Sequence, residues 1–210
     1  GYTLLAKMYL NSEIFSDGTH KDYDKCIEAC NKVLECGKYS METVRKNVFV
    51  TNNENSKEII FALPFDETYV TDWNAFDFHM YSLQPENQAT YNFKATPWGG
   101  ACVIPQYIES FDPDDQRLKD DFISGPQYDK NGGVLYCTMG NMKGKPLDYV
   151  NKVNSIDDSD ENQGWRWGKF EYAEGITNRL SNDFPLLRYA DVYLMKAEAL
   201  LRTGHADEAA

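Results

Sequence analysis

The stretch that decides the fold is residues 182–202, with the sequence NDFPLLRYADVYLMKAEALLR. Apolar residues recur in it at spacings of three and four, which is the period of one face of an α-helix. These residues are Leu187, Ala190, Leu194, Ala197 and Leu201. Glu198 and Arg202, four residues apart, are placed to form an ion pair on the same helix. Gly204 predicts the end of this helix, and Ala206 the start of another.

A second helical region is predicted at the start of the chain. Residues 2–12 contain neither Gly nor Pro, and Asp22 offers an N-cap to a following helix. One apolar face of that helix is formed by Tyr23, Ile27, Cys30 and Leu34. Gly37 predicts its end. Residues 1–37 therefore form a predicted helical hairpin, and because a lone hairpin cannot bury its apolar face, we expect stacked helical repeats.

The middle of the chain has a different character. Short apolar runs at residues 48–50 and 59–63 predict strands. Residues 66–128 are irregular and rich in aromatic residues, Asn, Gly and Pro, with a short helix expected at 106–111. Residues 154–164 are polar and acidic, which is typical of a surface loop.

The net charge of the 210 residues is −12 at pH 7, which repels phosphate backbones and anionic membrane surfaces. A nucleic-acid partner is therefore not expected. No apolar run reaches the roughly 18 residues that cross a bilayer. Both ends of the sequence already have helical character, so we expect the chain to be cut from a longer one. Any export signal or lipid-bearing Cys would then lie outside it.

The five cysteines include no Cys-x-x-Cys pair. Cys26 and Cys30 lie four residues apart on a predicted helix, where a disulfide would be strained. A metal shared by these two thiols lacks a second pair of ligands that would complete a tetrahedral set. The cysteines are therefore interpreted as small buried apolar residues.

Catalytic motifs are lacking. The three His residues stand apart, and there is no Gly-x-Ser-x-Gly, phosphate-binding loop or metal-binding pair. A glycoside hydrolase needs two opposed carboxylates in a cleft, but with 33 acidic residues their presence discriminates nothing. Asp112, Asp114 and Asp115 cluster in a context typical of a turn. The sequence predicts no enzyme, and a glycoside hydrolase is the remaining enzymatic alternative.

Two resemblances place these patterns in known families. The last segment resembles a tetratricopeptide repeat at Tyr193, Ala197, Leu200, Gly204 and Ala209. Residues 182–199 resemble the C-terminal signature of SusD/RagB proteins, and residues 56–65, SKEIIFALPF, resemble the strand after that family's repeats. Residues 98–117, from Trp98-Gly99-Gly100 to the element FDPDDQR, resemble a further element of the same family. The three stretches occur in the family's order and span nearly the whole chain.

The resemblance implies a mainly α fold, with tetratricopeptide-like (TPR) helical hairpins as a scaffold and a long loop-rich insertion containing short strands. We expect one SusD-like domain fragment, the C-terminal portion of the protein. In it, residues 1–40 form a TPR-like hairpin, residues 41–181 the irregular insertion with the ligand-binding loops, and residues 182–210 truncated TPR-like helices.

The family also implies a function. Its members are lipoproteins that are lipid-anchored at the outer membrane on the cell surface, bind glycans or other nutrients, and catalyse nothing. They deliver the nutrient to a SusC-like TonB-dependent transporter. We therefore expect a surface glycan-binding protein of polysaccharide utilisation without a cofactor, and membrane association only through an N-terminal lipid anchor outside this fragment.

A sugar ring has an apolar C–H face and a rim of hydroxyls, so its site needs flat aromatic side chains beside polar groups. The insertion supplies both. The candidate ligand-binding residues are Trp98, Trp73, Tyr81, Tyr91, Asn92, Trp165 and Trp167. Each aromatic residue could instead pack against the scaffold, and packing is favoured for Trp165 and Trp167, which would share one face of a strand.

The acidic loop carries a calcium-like pattern of alternating oxygen side chains at Asp158, Asp160 and Asn162. The required Gly is displaced to Gly164, and Lys169 stands where the closing Glu belongs, so a solvated loop is favoured over a cation site. Two alternatives to glycan capture stay open, namely a peptide or glycopeptide ligand and a lid-only protein-interaction module. Which glycan is bound is not predicted.

Overall fold

A computed structural model describes residues 1–70, 74–155 and 157–209. Its helices are α1 (Tyr2–Leu10), α2 (Ser12–Phe15), α3 (Tyr23–Leu34), α4 (Phe78–Ser82), α5 (Gln88–Tyr91), α6 (Pro105–Glu109), α7 (Arg117–Asp120), α8 (Tyr189–Arg202) and α9 (Ala206–Ala209). Its strands are β1 (Ile59–Leu63), β2 (Phe122–Ile123), β3 (Gly125–Pro126), β4 (Asp148–Tyr149), β5 (Arg166–Trp167) and β6 (Phe184–Arg188). Short 3-10 helices occupy Arg45–Phe49, Asn53–Asn55, Pro85–Asn87 and Gly140–Met142. Helices predominate over strands, at 37% against 13%, as predicted.

The chain divides into two compact units. The helical unit comprises Gly1–Val48, Asn53–Leu63 and Phe184–Ala210. The loop-rich unit comprises Phe49–Asn52 and Pro64–Asp183.

Three helices of the helical unit, α1, α3 and α8, enclose one core. The buried members of this core are Ala6, Tyr23, Cys26, Ala29, Cys30, Val33, Tyr189, Val192, Met195 and Ala199. Small side chains dominate the list, and they allow helices to approach closely. Cys26 and Cys30 are free thiols buried within this core, as predicted. The prediction is wrong for Cys36, which is exposed after the end of α3, and Cys102 is only half-buried. Among the described residues, no helix is both long and apolar enough to cross a membrane.

The predicted apolar stripe of the last helix is wrong in two respects. The helix begins only at Tyr189, because Leu187 belongs to β6. Leu194 and Leu201 are 68% and 59% exposed, while Val192 and Met195 are buried. Apolar residues surround this helix on several sides, so spacing alone does not identify the face that packs. The predicted ion pair is confirmed, with 2.7 Å between Arg202 Nη2 and Glu198 Oε1.

The predicted strand at 59–63 is confirmed, and it pairs with β6 in an antiparallel ladder. Ile59 lies opposite Arg188, and Leu63 opposite Phe184. The predicted strand at 48–50 is wrong, since Arg45–Phe49 form a 3-10 helix. Here the Asn53 side chain donates a hydrogen bond of 2.8 Å to the carbonyl oxygen of residue 48, so that this carbonyl needs no neighbouring strand.

The loop-rich unit holds its loops with short strand pairs and aromatic contacts. Strand β2 pairs with β5, and β3 pairs with β4. The Phe76 ring meets both Phe78 and Phe170 edge to face, at centroid distances of 5.0 and 4.7 Å. The expected short helix is present as α6. The loop-rich unit is thus packed by edge-to-face contacts between aromatic rings, whereas the helical unit is packed by small side chains.

Candidate functional site

Two aromatic side chains of the loop-rich unit, Trp98 and Tyr81, form an exposed pair. Their ring centroids lie 4.7 Å apart at an interplanar angle of 79°. Trp98 is 51% exposed and Tyr81 is 50% exposed. Aromatic rings of this size usually bury most of their surface. The pair therefore presents apolar ring surface to solvent at a fixed angle.

Backbone hydrogen bonds fix this pair. The segment after Pro97 runs beside α4 and its C-terminal end. The Trp98 N–H donates to the carbonyl oxygen of Met80 (2.7 Å), and the Ala101 N–H donates to that of Tyr81 (2.9 Å). The last carbonyls of a helix have no partner within it, so this segment satisfies groups that would otherwise need water. Both rings are thus tied to the same helix turn.

Gly99 makes the close approach of this segment possible. Its φ of +74° lies in the left-handed region, and a Cβ there would stand 2.7 Å from Oε1 of Gln84. Gln84 is buried and donates from Nε2 to the carbonyl oxygen of Glu161 (3.0 Å). The turn beside Trp98 therefore rests on a buried amide that cannot easily move.

Tyr91 and Asn92 do not join this pair through any contact among the described residues. The Tyr91 ring stacks on Phe93 at 4.9 Å and meets Tyr172 edge on. Burial raises the pKa of Tyr91 to about 12. Asn92 is exposed, has a φ of +53°, and donates a long hydrogen bond of 3.5 Å to Glu174. Tyr91 thus uses its ring for packing.

Trp165 and Trp167 are half-buried. The ring centroids of Trp167 and Phe78 lie 4.6 Å apart, and the backbone N–H of Trp167 donates to Ser82 Oγ at 2.7 Å. Trp167 thus packs under α4, the helix that carries Tyr81. Trp165 lies 6.3 Å from Phe122 and pairs with Val103 in an isolated bridge.

The candidate residue Trp73 lies outside the described residues. Tyr69, four residues before it, is 84% exposed.

All three residues of the calcium-like pattern take part in hydrogen bonds within the protein, Asp160 through its carboxylate and the other two through their backbone carbonyls. The Asp160 carboxylate accepts hydrogen bonds from Asn141 and Gln163. Asn162 is buried, and its carbonyl oxygen accepts from the Val150 N–H. The carbonyl oxygen of Asp158 accepts from the Ser155 N–H. Within the described part of the chain, no three His, Cys, Asp or Glu side chains are arranged to hold a metal ion.

The sequence does not predict a pair of neighbouring carboxyl groups near the site, of which Glu161 is buried and Glu86 is half-buried. Glu161 is 8% exposed and accepts hydrogen bonds from the N–H groups of Thr138 and Met139. Thr138 Oγ1 donates to Glu86 at 2.6 Å. Burial raises the pKa of Glu161, and the neighbouring Glu86 carboxyl raises it further. No sequence signal marks this pair, because Glu161 stands in an acidic loop that suggests solvation.

The Glu86–Glu161 pair and the Trp98–Tyr81 pair differ in what they can do chemically. Glu86 and Glu161 both contact Thr138, so they lie side by side, whereas hydrolytic carboxylates face each other across a sugar. Trp98 and Tyr81, by contrast, offer exposed ring faces on a rigid support. Such faces can stack on the C–H face of a sugar.

Comparisons with solved structures show the fold. A SusD superfamily protein from Parabacteroides distasonis ATCC 8503 is 20% identical, with a TM-score of 0.65 over 99% of this chain and 40% of that chain. Surface glycan-binding protein A from Bacteroides thetaiotaomicron is 16% identical, with a TM-score of 0.68 over 99% of this chain and 44% of that chain. A structure of the latter in complex with laminarihexaose is 15% identical, with a TM-score of 0.67 over 96% of this chain and 42% of that chain.

This chain therefore spans less than half the length of these structures. No curated protein matches it by sequence. The model of the SusD family matches residues 57–210, which is well over half of the chain. The match covers α4 and the Trp98 turn as well as α8, so the chain belongs to the SusD family.

Proposed function

We propose that this chain is part of a cell-surface protein that captures a glycan without cleaving it. The observation that carries the proposal is the exposed Trp98–Tyr81 pair, held by main-chain hydrogen bonds to one helix turn. A ring pair that is already fixed loses little conformational entropy when a sugar binds. Little of the favourable contact energy is therefore offset, and the affinity is higher. A similar solved structure, surface glycan-binding protein A, is a complex with laminarihexaose.

The rest of the function follows from family membership as part of the same proposal. The helical unit serves as a TPR-like scaffold, and residues 41–181 form an insertion that carries the ligand-binding loops. The protein is lipid-anchored at the outer membrane outside this chain and delivers its glycan to a SusC-like TonB-dependent transporter. It needs no cofactor, and it is not an enzyme.

The test is a screen of the full-length protein against a panel of polysaccharides by affinity electrophoresis and calorimetry. Release of reducing ends is measured in the same samples. We expect binding to at least one polysaccharide with no release. Release of reducing ends would indicate a glycoside hydrolase and contradict the proposal. Absence of binding to every polysaccharide of the panel would favour a peptide ligand or a lid-only role.

A further inference from the structure

Two further tyrosines lie exposed within residues 127–147 of the loop-rich unit, where two consecutive β-hairpins share the strand around residues 134–137. Tyr128 is 45% exposed and Tyr136 is 53% exposed. Isolated bridges place Tyr128 opposite Val134, and Tyr136 opposite Pro146. Since side chains alternate between the faces of a strand, Val134 and Tyr136 lie on the same face.

The opposite face of the strand around residues 134–137 is buried, which fixes the orientation of the exposed face. Cys137 packs with Leu147 and Tyr149 in a small core, and Leu135 packs against that core. The Leu135 N–H donates to the carbonyl oxygen of Gln127 at 3.0 Å and sets the register. Tyr136 cannot turn inwards without a slip of the whole strand by one residue. Its exposure is therefore built into the strand.

A shallow, open groove of about 590 Å³ runs beside Tyr136. Residues 134–136 form one wall, and the opposite wall includes Pro85, Glu86, Ala89 and Asn92. The Lys130 N–H donates to the carbonyl oxygen of Ala89 at 3.0 Å, and Thr90 Oγ1 donates to that of Tyr128 at 2.8 Å. These bonds tie the segment around α5 to residues 128–130, and Tyr128 in turn pairs with Val134 of the opposite wall, so the groove is supported on both sides by main-chain contacts.

The chemistry of the groove selects an uncharged ligand with both an apolar face and hydroxyl groups. Tyr136 supplies a ring, and Pro85 and Ala89 supply apolar surface beside it. The exposed amide of Asn92 can donate and accept hydrogen bonds. Among the described residues that line the groove, Glu86 alone carries a charge, and that negative charge disfavours anionic sugars.

We propose that this groove is a second glycan-binding site, built from different residues than the Trp98–Tyr81 pair, and that it holds a neutral sugar residue against Tyr136. The class of ligand rests on the proposed function. The location and the preference for a neutral sugar rest on this strand and on Glu86.

The groove is tested directly by ¹⁹F NMR of the full-length protein labelled with 3-fluorotyrosine. The Tyr136 resonance is identified by its loss in Tyr136→Phe. The protein is titrated with methyl glucoside, methyl galactoside, N-acetylglucosamine and galacturonate. We expect a saturable shift of the Tyr136 resonance with at least one neutral sugar and none with galacturonate. The chemical shift of Tyr107, which is equally exposed but outside the groove, should not change.

The same titration in Trp98→Ala separates this site from the first one. A Tyr136 shift that persists in Trp98→Ala supports an independent groove. The inference is overturned if Tyr136 responds to none of the sugars, if galacturonate shifts it as strongly as a neutral sugar, or if the response disappears with Trp98. If the groove fails but polysaccharide binding still depends on Trp98, the proposed function stands. If Tyr136 responds to sugars but no polysaccharide binding depends on Trp98, the groove stands and glycan capture by the Trp98–Tyr81 pair is contradicted.

Discussion

The helical unit and the loop-rich unit are stabilised by different kinds of buried side chain. The core of the helical unit is rich in alanine, cysteine and valine between α1, α3 and α8. The loop-rich unit buries aromatic rings edge to face and also buries polar groups such as His79, Gln84 and Glu161. The first arrangement needs small side chains at close approach. The second depends on shape and on satisfied hydrogen bonds, and it leaves rings exposed where the loops reach solvent.

The largest expected effect of a single substitution lies in the loop-rich unit, at Phe76. This residue is 4% exposed and contacts the rings of Phe65, Phe78 and Phe170. Phe76→Ala leaves a cavity among rings that cannot collapse onto it, so we expect a loss of about 3–5 kcal/mol in the free energy of unfolding. Urea unfolding followed by fluorescence measures the loss. A cost similar to that of Tyr107→Ala, an exposed position, would show that these rings do not hold the unit together.

Buried His79 makes the stability of the loop-rich unit depend on pH. Its Nε2 lies 3.1 Å from the carbonyl oxygen of Thr177, and burial lowers the pKa of His79 from its ordinary 6.5 to about 4. Between these pH values the unfolded chain binds a proton that the folded chain does not. The contribution of His79 is therefore complete above pH 6.5 and is lost as the pH falls towards 4, by up to about 3 kcal/mol.

His79→Phe removes this titration. The difference in unfolding free energy between pH 7 and pH 4 should shrink by that amount relative to the wild type. The exposed His20 provides the control, since His20→Phe should leave the difference unchanged. Equal pH dependence in the wild type and in both variants would contradict a buried neutral imidazole.

The helical unit should be most sensitive to substitutions that enlarge a small buried side chain. Ala199 is fully buried on α8. Ala199→Leu adds methylene groups where helices already touch, and we expect it to cost about 1–3 kcal/mol. The adjacent, exposed position provides the matched control, because Glu198→Leu loses only a surface ion pair worth about 0.5 kcal/mol or less. If thermal denaturation shows that Ala199→Leu is tolerated as well as Glu198→Leu, the small-residue account of this core is wrong.

The smallest expected effect concerns the Glu86–Glu161 pair. Burial and the neighbouring Glu86 raise the pKa of Glu161 above its ordinary 4.5. The folded chain therefore holds this proton more tightly than the unfolded chain. The stabilising contribution of Glu161 is complete below pH 4.5 and is lost as the pH rises through the pKa of the folded state. Glu86→Gln replaces a repelling carboxylate with an amide. It should stabilise the protein by about 1 kcal/mol at pH 7 and less at pH 4.5. The same change at exposed Glu109 should do nothing at either pH.

The helical unit was the more predictable of the two because its contacts repeat with a local period. The spacing from Tyr23 to Leu34 located α3 correctly. The same method failed to choose the buried face of α8, because Leu194 and Met195 both fit an apolar stripe and only packing distinguishes them. Residues 48–50 have strand propensity, but Asn53 caps their carbonyl instead.

The loop-rich unit depends on contacts that no local pattern encodes. Trp98 was a candidate because Pro97 and Gly99 flank it, but its pairing with Tyr81 arises from a hydrogen bond to Met80, far back in the sequence. The same composition also predicts Tyr91 as a ligand-binding residue, but its ring packs on Phe93. The exposed tyrosine of the groove, Tyr136, was missed, because alternation in a short irregular hairpin gives too weak a signal.

The central claim is that the Trp98–Tyr81 pair captures a glycan, and the most direct measurement is calorimetry on the full-length protein with a polysaccharide that it binds. Trp98→Ala removes half of the ring pair, and we predict a loss of affinity of roughly tenfold or more, with no change in unfolding temperature. Tyr107→Ala removes an equally exposed ring of the same unit and should bind as the wild type does. Unchanged affinity in Trp98→Ala, or an equal loss in both variants, would contradict the account.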